Sequence, residues 1–298
     1  MHSEPRGAEK SVAMIAGYLK GCGHDVIITA ARGVFEQVAA SADCVLTWAT
    51  AAPLTHEICT RLGVPYILMI RWWRLIQPLP PGRLLERPID TEFVERHRPI
   101  FEDAHAVVTN NRWATKVIKR YYGVLAHVSY VPKPSGGVLA AGNPYGSITI
   151  ITPDKDLGEK DFVSELATLM PEQKFLAVNS GGGWGGANVE HMPYAPDMEV
   201  VYRRSKFILY PIYHNDVCGT SRVKIEAAQY GVPCIANDRC GFLEQGGVPV
   251  SDGAPASEWA ERIGRMDGRY PAHSFISGSE FMSYRDNIDI FKTLVESC

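Results

Sequence analysis

The sequence predicts an α/β fold made of two similar halves, and three observations predict it. Apolar runs of strand length alternate with helical patterns, the order of a parallel sheet with crossover helices. The alternation breaks at the Pro- and Gly-rich stretch from Pro132 to Gly146 and then begins again. At 298 residues the chain is long enough for two domains with cores of their own. The expected layout is a first domain over 1–133, a linker over 134–146 and a second domain over 147–278. A closing helix over 279–298 is expected to pack back toward the first.

In the first half, Asp25-Val26-Ile27-Ile28-Thr29-Ala30, Cys44-Val45-Leu46-Thr47, Tyr66-Ile67-Leu68-Met69-Ile70 and Ala106-Val107-Val108-Thr109 read as buried strands. Helices are expected between them over 7–21, 53–62, 90–103 and 112–122, and a strand over 128–131 closes this half. The second half carries strands over 147–152, 174–178, 207–210 and 233–236, with helices over 160–169, 199–205 and 222–230, and a further stretch over 256–266. The last segment shows helical spacing in Phe281, Tyr284, Ile288 and Phe291.

Composition excludes several classes. A net charge of −3 makes no demand for a nucleic-acid partner. Seven cysteines, with no C-x-x-C pair, indicate neither a disulfide framework nor a zinc site and fit a reducing, cytoplasmic compartment. No apolar run approaches the roughly 18 residues of a spanning helix, so any membrane contact is expected to be peripheral. The strings of α/β-hydrolases, P-loop enzymes and zincins are missing. Asp154-Lys155-Asp156 satisfies the Asp-x-Asp string of metal-dependent transferases. The string is short and common, the two-half pattern points elsewhere, and no metal is expected.

The most informative stretch runs from Cys218 to Asp238. Cys218-Gly219-Thr220-Ser221 is a loop with free backbone N–H groups that feeds a helix N-terminus, a ready anion site. Glu226, further along that helix, is placed to accept hydroxyl hydrogens rather than to meet phosphate. Ala227, Ala228 and Gly231 beside it suit close packing. Gly-Val-Pro at 231–233 then leads into a buried strand. In two α/β halves joined by a linker, the ligand is expected between them, at the carboxyl ends of the strands.

Taken in order, the second half resembles the nucleotide-binding domain of GT-B glycosyltransferases, in particular the retaining family 4. The likeness rests on Lys160, Leu166 and Leu169 before Met170-Pro171, then Phe175-Leu176-Ala177-Val178 with its glycine-rich turn, Asn188-Val189 and Asp197-Met198 before Tyr202. It continues in Phe207-Ile208-Leu209-Tyr210-Pro211 and is most specific in Glu226-Ala227-Ala228-Gln229-Tyr230-Gly231-Val232-Pro233. In the first half, Arg6-Gly7-Ala8-Glu9-Lys10 and Gly23-His24-Asp25-Val26 resemble the family's opening helix and the entry to its second strand. The family begins with a strand ahead of that helix; here either the strand is absent or the true start lies upstream.

The resemblance implies a GT-B fold, two Rossmann-like domains with parallel sheets facing across a cleft. It implies a transferase that takes a nucleotide sugar such as a UDP- or GDP-sugar as substrate, uses no metal or other cofactor, and retains configuration. Glu226 would hold the ribose, while Gly219, Thr220 and Ser221 would hold phosphate oxygens and Gly7 would lie at the donor. Lys160, with Arg222 or Lys224, would neutralise the diphosphate as the glycosidic bond breaks. Cys218 stands where the family has its first acidic residue; a thiol cannot accept two hydroxyl hydrogen bonds as a carboxylate does, and Asp216 is the substitute if the loop is shifted. Either Lys155 or Arg222 replaces the family's phosphate-binding arginine. The loop Gly181-Gly182-Gly183-Trp184-Gly185-Gly186 fits a phosphate cradle, but with no helix pattern directly after it a flexible loop beside the base is expected.

The acceptor would fall to the first domain, where Arg71-Trp72-Trp73-Arg74 directly follows a buried strand. Arg71 occupies the region where the family tends to place a catalytic histidine. Arginines beside tryptophans suit an anionic or ring-bearing acceptor: a phosphosugar, a lipid-linked phosphate or a nucleic acid. The same residues also fit a loop that packs its tryptophans on the core. An epimerase or hydrolase acting on a nucleotide sugar without acceptor, and a non-catalytic sugar-nucleotide or glycan-binding subunit, are the alternatives in view.

Overall fold

The computed structural model describes residues 7–48, 50–70, 90–130, 142–151, 159–193, 195, 197–211, 221–237, 241–266 and 284–298. The chain divides into two compact units, Met1–Pro132 with Met282–Cys298, and Lys133–Phe281. Among the described residues no helix is long and apolar enough to cross a membrane.

The first unit opens with α1 (Gly7–Gly21) and α2 (Arg32–Ala39). Its sheet holds β1 (Val45–Trp48), β2 (Tyr66–Ile70), β3 (Ala106–Thr109) and β4 (Ala126–Val128), all parallel and adjacent in chain order. The crossovers are α3 (Ala52–Leu62), α4 (Thr91–Glu102) and α5 (Arg112–Tyr122). All five residues of β2 are buried, as a parallel strand covered on both faces requires. Its side chains alternate: Ile67 and Met69 pack with Ile15 and Leu19 of α1, while Tyr66 hydrogen-bonds the Ile100 carbonyl of α4 at 2.7 Å. Helix α10 (Tyr284–Glu296) returns from beyond the second unit and joins that first face through Ile288, Phe291 and Leu294.

One expected strand is missing. Residues 24–31 have no regular structure, and Ile27 and Ile28 are 60% and 59% exposed. A β-rich run becomes a strand only where a neighbour completes its ladder, and no described strand pairs with it. Val26 alone reaches the core cluster. Helix α2, which the sequence reading passed over, fills the next stretch.

The second unit holds β5 (Ser147–Ile151), β6 (Phe175–Val178), β7 (Val189–Met192), β8 (Ser205–Tyr210), β9 (Cys234–Asn237) and β10 (Val248–Val250). They form one parallel sheet in the order β10-β9-β8-β5-β6-β7. Winding runs outward from β5 in one direction and resumes at β8 in the other, so the switch point lies between these two neighbours. Helices α6 (Glu159–Leu169) and α9 (Ala256–Met266) cover one face, with Phe162, Leu166, Trp259 and Ile263 on Ile148, Ile150 and Leu209. On the other face, α7 (Met198–Arg204) and α8 (Arg222–Gln229) bring Tyr202 and Ala227 onto Ile208, Cys234 and Ala236. Strands β7 and β10 are three or four residues long and were not foreseen; in short edge strands the run is too brief to carry a period.

The carbonyl end of α6 is tied down by one side chain. Asn188 Nδ2 donates to the carbonyls of Ala167, Met170 and Gln173 at 3.0, 3.2 and 3.1 Å. Asn188→Ala removes that shared donor from the Ala167 carbonyl in the last turn and from the Met170 and Gln173 carbonyls of the turn that follows, and is expected to lower stability by about 1–2 kcal/mol. Urea denaturation against the parent measures it, and an unchanged midpoint would show that water serves those carbonyls equally well.

Candidate functional site

At the switch point, β5 ends at Ile151 and β8 at Tyr210. The chain after each strand leads into α6 and α8, which cover opposite faces of the sheet. In a parallel sheet the helix following a strand starts at that strand's carboxyl edge, so both helix N-termini flank the switch point. These are the positions that attract anions.

Ser221 is the residue before α8; its backbone is extended, and its hydroxyl caps no N–H of the helix. Arg222 begins the helix and Glu226 lies one turn later, so the two share a face. Arg222 Nη1 is 3.9 Å from Glu226 Oε1, and the two side chains are 14% and 22% exposed. The other carboxylate oxygen is held from behind: Tyr202 of α7 donates its hydroxyl to Glu226 Oε2 at 2.9 Å. Burial first, and then the Glu226 carboxylate, push the Tyr202 phenol above its ordinary range, so it stays protonated and keeps the hydrogen it donates to Glu226. Glu226 thus presents a fixed carboxylate with a limited opening to solvent, chemistry suited to accepting vicinal hydroxyls.

A second layer supports Tyr202. Its ring stacks on Tyr230 at 5.5 Å between centroids, and the Tyr230 hydroxyl donates to Glu199 Oε2 at 3.1 Å. Arg203 pairs with Glu199 at 2.8 Å and lies 5.4 Å above the Tyr230 ring. Sequence reasoning did not assign Tyr202 this task, because 24 residues separate it from Glu226 and no local spacing links them.

Lys224 turns to a different environment. It is buried, its ammonium donates to the Phe242 carbonyl, and Nζ lies 4.6 Å from the Phe242 ring centroid. Phe242 in turn stacks on Tyr210 at the end of β8. Lys160 stands in the first turn of α6 with its side chain exposed. Gly7 opens α1 in the other unit. The remaining candidates, Arg71, Asp216, Cys218, Gly219 and Thr220, lie outside the described residues, as do Trp72, Trp73, Arg74, Asp154, Lys155 and Asp156. Among the described residues no group of three or more His, Cys, Asp or Glu side chains converges on a metal position.

The glycine-rich loop after β6 is tied to β7 by side-chain hydrogen bonds. Gly182, Gly183 and Gly185 take φ of 83°, 81° and 80°, and Asn179 itself sits at 55°. Left-handed backbone is where glycine is needed, so these residues set the path of the loop. His191 of β7 anchors the loop, with Nε2 on the Trp184 carbonyl at 2.9 Å and Nδ1 on Ser180 Oγ at 3.0 Å. A carbonyl only accepts, so Nε2 carries the proton; in the neutral ring Nδ1 then accepts from Ser180. Trp184 meets the His191 ring edge-on at 4.7 Å and packs on the sheet's core.

Two parallel-sheet units, the second wound about a switch point flanked by helix N-termini, define a class: the fold is that of the GT-B glycosyltransferases. HepE from Anabaena, in complex with UDP and glucose, superposes with a TM-score of 0.65 at 13% identity, over 90% of this chain and 81% of that one. Sucrose-phosphate synthase from Thermosynechococcus elongatus gives 0.66 at 13% identity, over 98% and 92% of the two chains. A glycosyltransferase from Rickettsia africae gives 0.59 at 11%, over 98% and 90%. No protein-family model matches the sequence, and no curated protein sequence matches it either.

Proposed function

We propose that this protein is a glycosyltransferase that moves a sugar from a nucleotide-sugar donor to an acceptor, with retention and without a metal ion. The observation that carries the reading is Glu226, fixed by Tyr202 and Arg222 on the helix that starts beside the switch point of the second unit. A carboxylate held in that manner matches the ribose hydroxyls of a nucleotide, and the N-terminus of α8 with Ser221 matches its phosphates. The fold supports the same donor class: HepE is seen with UDP-glucose, and the pneumococcal O-GlcNAc transferase GtfA with UDP and GlcNAc.

In this reading Lys160 and Arg222 face the diphosphate as charge develops on it, where fixed cations stabilise the transition state most. Lys224, whose ammonium is held by the Phe242 carbonyl, leaves that charge to Lys160 and Arg222. Gly219 and Thr220 hold phosphate oxygens, and Asp216 or Cys218 meets the donor sugar. The leaving diphosphate itself takes part in removing the acceptor proton, so no separate base is required. Arg71 and its neighbours receive an anionic acceptor: a phosphosugar, a lipid-linked phosphate at a membrane surface, or a nucleic acid. The cytoplasm is the proposed location.

Calorimetric titration with UDP-, GDP-, ADP- and dTDP-sugars, with and without EDTA, tests the donor. Selective binding of one of them that survives chelation is the expected result, followed by acceptor-dependent release of the nucleoside diphosphate. Loss of binding on chelation would overturn metal independence. Conversion without an acceptor would favour an epimerase or hydrolase, and no binding by the folded protein would overturn the donor site itself.

A further inference from the structure

Two cysteines far apart in sequence meet at the base of the first sheet. Cys44 immediately precedes β1, and Cys298 follows α10; their Sγ atoms lie 2.8 Å apart, both as thiols. An S–S bond is about 2.05 Å long, so the two sulfurs need to close by less than 1 Å. We propose that Cys44 and Cys298 form a reversible disulfide that clamps α10 onto the first unit.

The surroundings favour this pair over the other thiols. Cys44 packs on the cluster that receives Ile288, Phe291 and Leu294, so the docking of α10 is what delivers Cys298 to it. Polar ties fix the same helix along its length. Tyr18 donates to Asp289, Ser129 Oγ donates to the Asn287 carbonyl at 2.8 Å, and His105 Nε2 meets Ser297 Oγ at 2.9 Å. Cys59 is fully buried, which shields it from an external oxidant. Cys22 is exposed, but it lies at the end of α1 beside Tyr18 and has no described sulfur within contact.

The chemistry requires an oxidant, and a low-molecular-weight disulfide such as glutathione disulfide suffices. Cys298 is exposed, whereas burial is the main cause that pushes the Cys44 thiol up. Cys298 therefore attacks first, as thiolate, on one sulfur of the oxidant; the mixed disulfide forms and one thiolate leaves and takes up a proton. Cys44 then loses its proton and attacks the Cys298 sulfur, releasing the second small thiol. Two protein thiols and one disulfide become one protein disulfide and two small thiols.

The consequence is topological. Helix α10 belongs to the first unit, but the chain reaches it only after passing through the whole of Lys133–Phe281. Noncovalent packing alone holds it in the reduced protein. The disulfide closes a ring that includes the entire second unit, and long closed loops remove the most freedom from the unfolded chain.

The test is to incubate the full chain with glutathione disulfide, block free thiols by alkylation, and map the cysteines by mass spectrometry, in the parent, Cys44→Ser and Cys298→Ser. Expected are the loss of two hydrogens, a peptide linking Cys44 to Cys298, and a melting temperature about 4–10 °C higher that reverts on reduction. Neither variant should gain this stability, and Cys44→Ser should stop at a glutathione adduct on Cys298. A link through Cys22, a disulfide between two copies of the chain, or a stable glutathione adduct on Cys298 of the parent would overturn the pairing. A linked peptide with no rise in melting temperature would overturn the clamp.

Discussion

Trp259→Ala is expected to destabilise the second unit by about 3–5 kcal/mol, the cost of removing a large aromatic side chain from a packed core. Trp259 is fully buried on α9, and its ring meets Phe162 of α6 edge-on at 5.2 Å between centroids. It joins the two helices that cover one face of the sheet, so the cavity would open between α6, α9 and the strands, where the backbone cannot collapse to fill it. Trp259→Phe separates packing from polarity. Trp259 Nε1 is buried and meets no acceptor among the described residues. Phenylalanine keeps a ring against Phe162 and deletes that unmatched donor, so it should cost less than half as much. Denaturant unfolding of both variants reads the difference. Equal losses would mean that the indole N–H has a partner and that the contact is polar as well as apolar.

Glu226→Ala is expected to weaken binding of the selected nucleotide sugar by about 1–3 kcal/mol, a roughly 5- to 150-fold rise in Kd. This is the size of a lost set of charge-assisted hydrogen bonds, and it should fall on the donor alone. The fold should survive, because Glu226 is not in the core cluster and its main inward contact is the Tyr202 hydroxyl. Tyr202→Phe is the companion variant. It leaves the carboxylate in place but without the donor behind it, and is expected to weaken binding by about 0.5–1.5 kcal/mol while leaving kcat nearly unchanged. Parent-like titration curves for Glu226→Ala would remove Glu226 from the donor site. A loss in Tyr202→Phe as large as that in Glu226→Ala would mean that Tyr202 supports the helix rather than orienting one carboxylate.

Much of the architecture was legible in the residues because burial on both faces of a parallel sheet writes itself as unbroken apolar runs. Tyr66 to Ile70, Ala106 to Thr109 and Phe175 to Val178 all became strands, with boundaries within a residue of those read from sequence. Helices α1 and α5 were read with the ends they have. Gly123, at φ 75° just past α5, is the kind of stop signal that makes such ends readable. The failures have the opposite cause. Val26-Ile27-Ile28-Thr29 carries strand propensity, but a strand is a property of a pair, and pairing is decided elsewhere in the chain. The glycine-rich loop after β6 showed in its composition what glycine permits, but not the bonds from His191 to Ser180 and to the Trp184 carbonyl, which join residues 7 to 11 positions apart.

The sequence by itself determined the alternation of elements, the two-half division and the motif that puts Glu226 on a helix following a Gly/Ser loop. Those are local properties, set by periodicity and by turn residues within a few positions of each other. Only the tertiary structure decided the strand order that makes β5 and β8 neighbours, since order depends on which way each crossover winds. It alone put Tyr202 behind Glu226, turned Lys224 to the Phe242 carbonyl, and set Cys298 against Cys44. Side-chain partners across 18 to 254 residues are chosen by packing between elements, and no spacing along the chain encodes them.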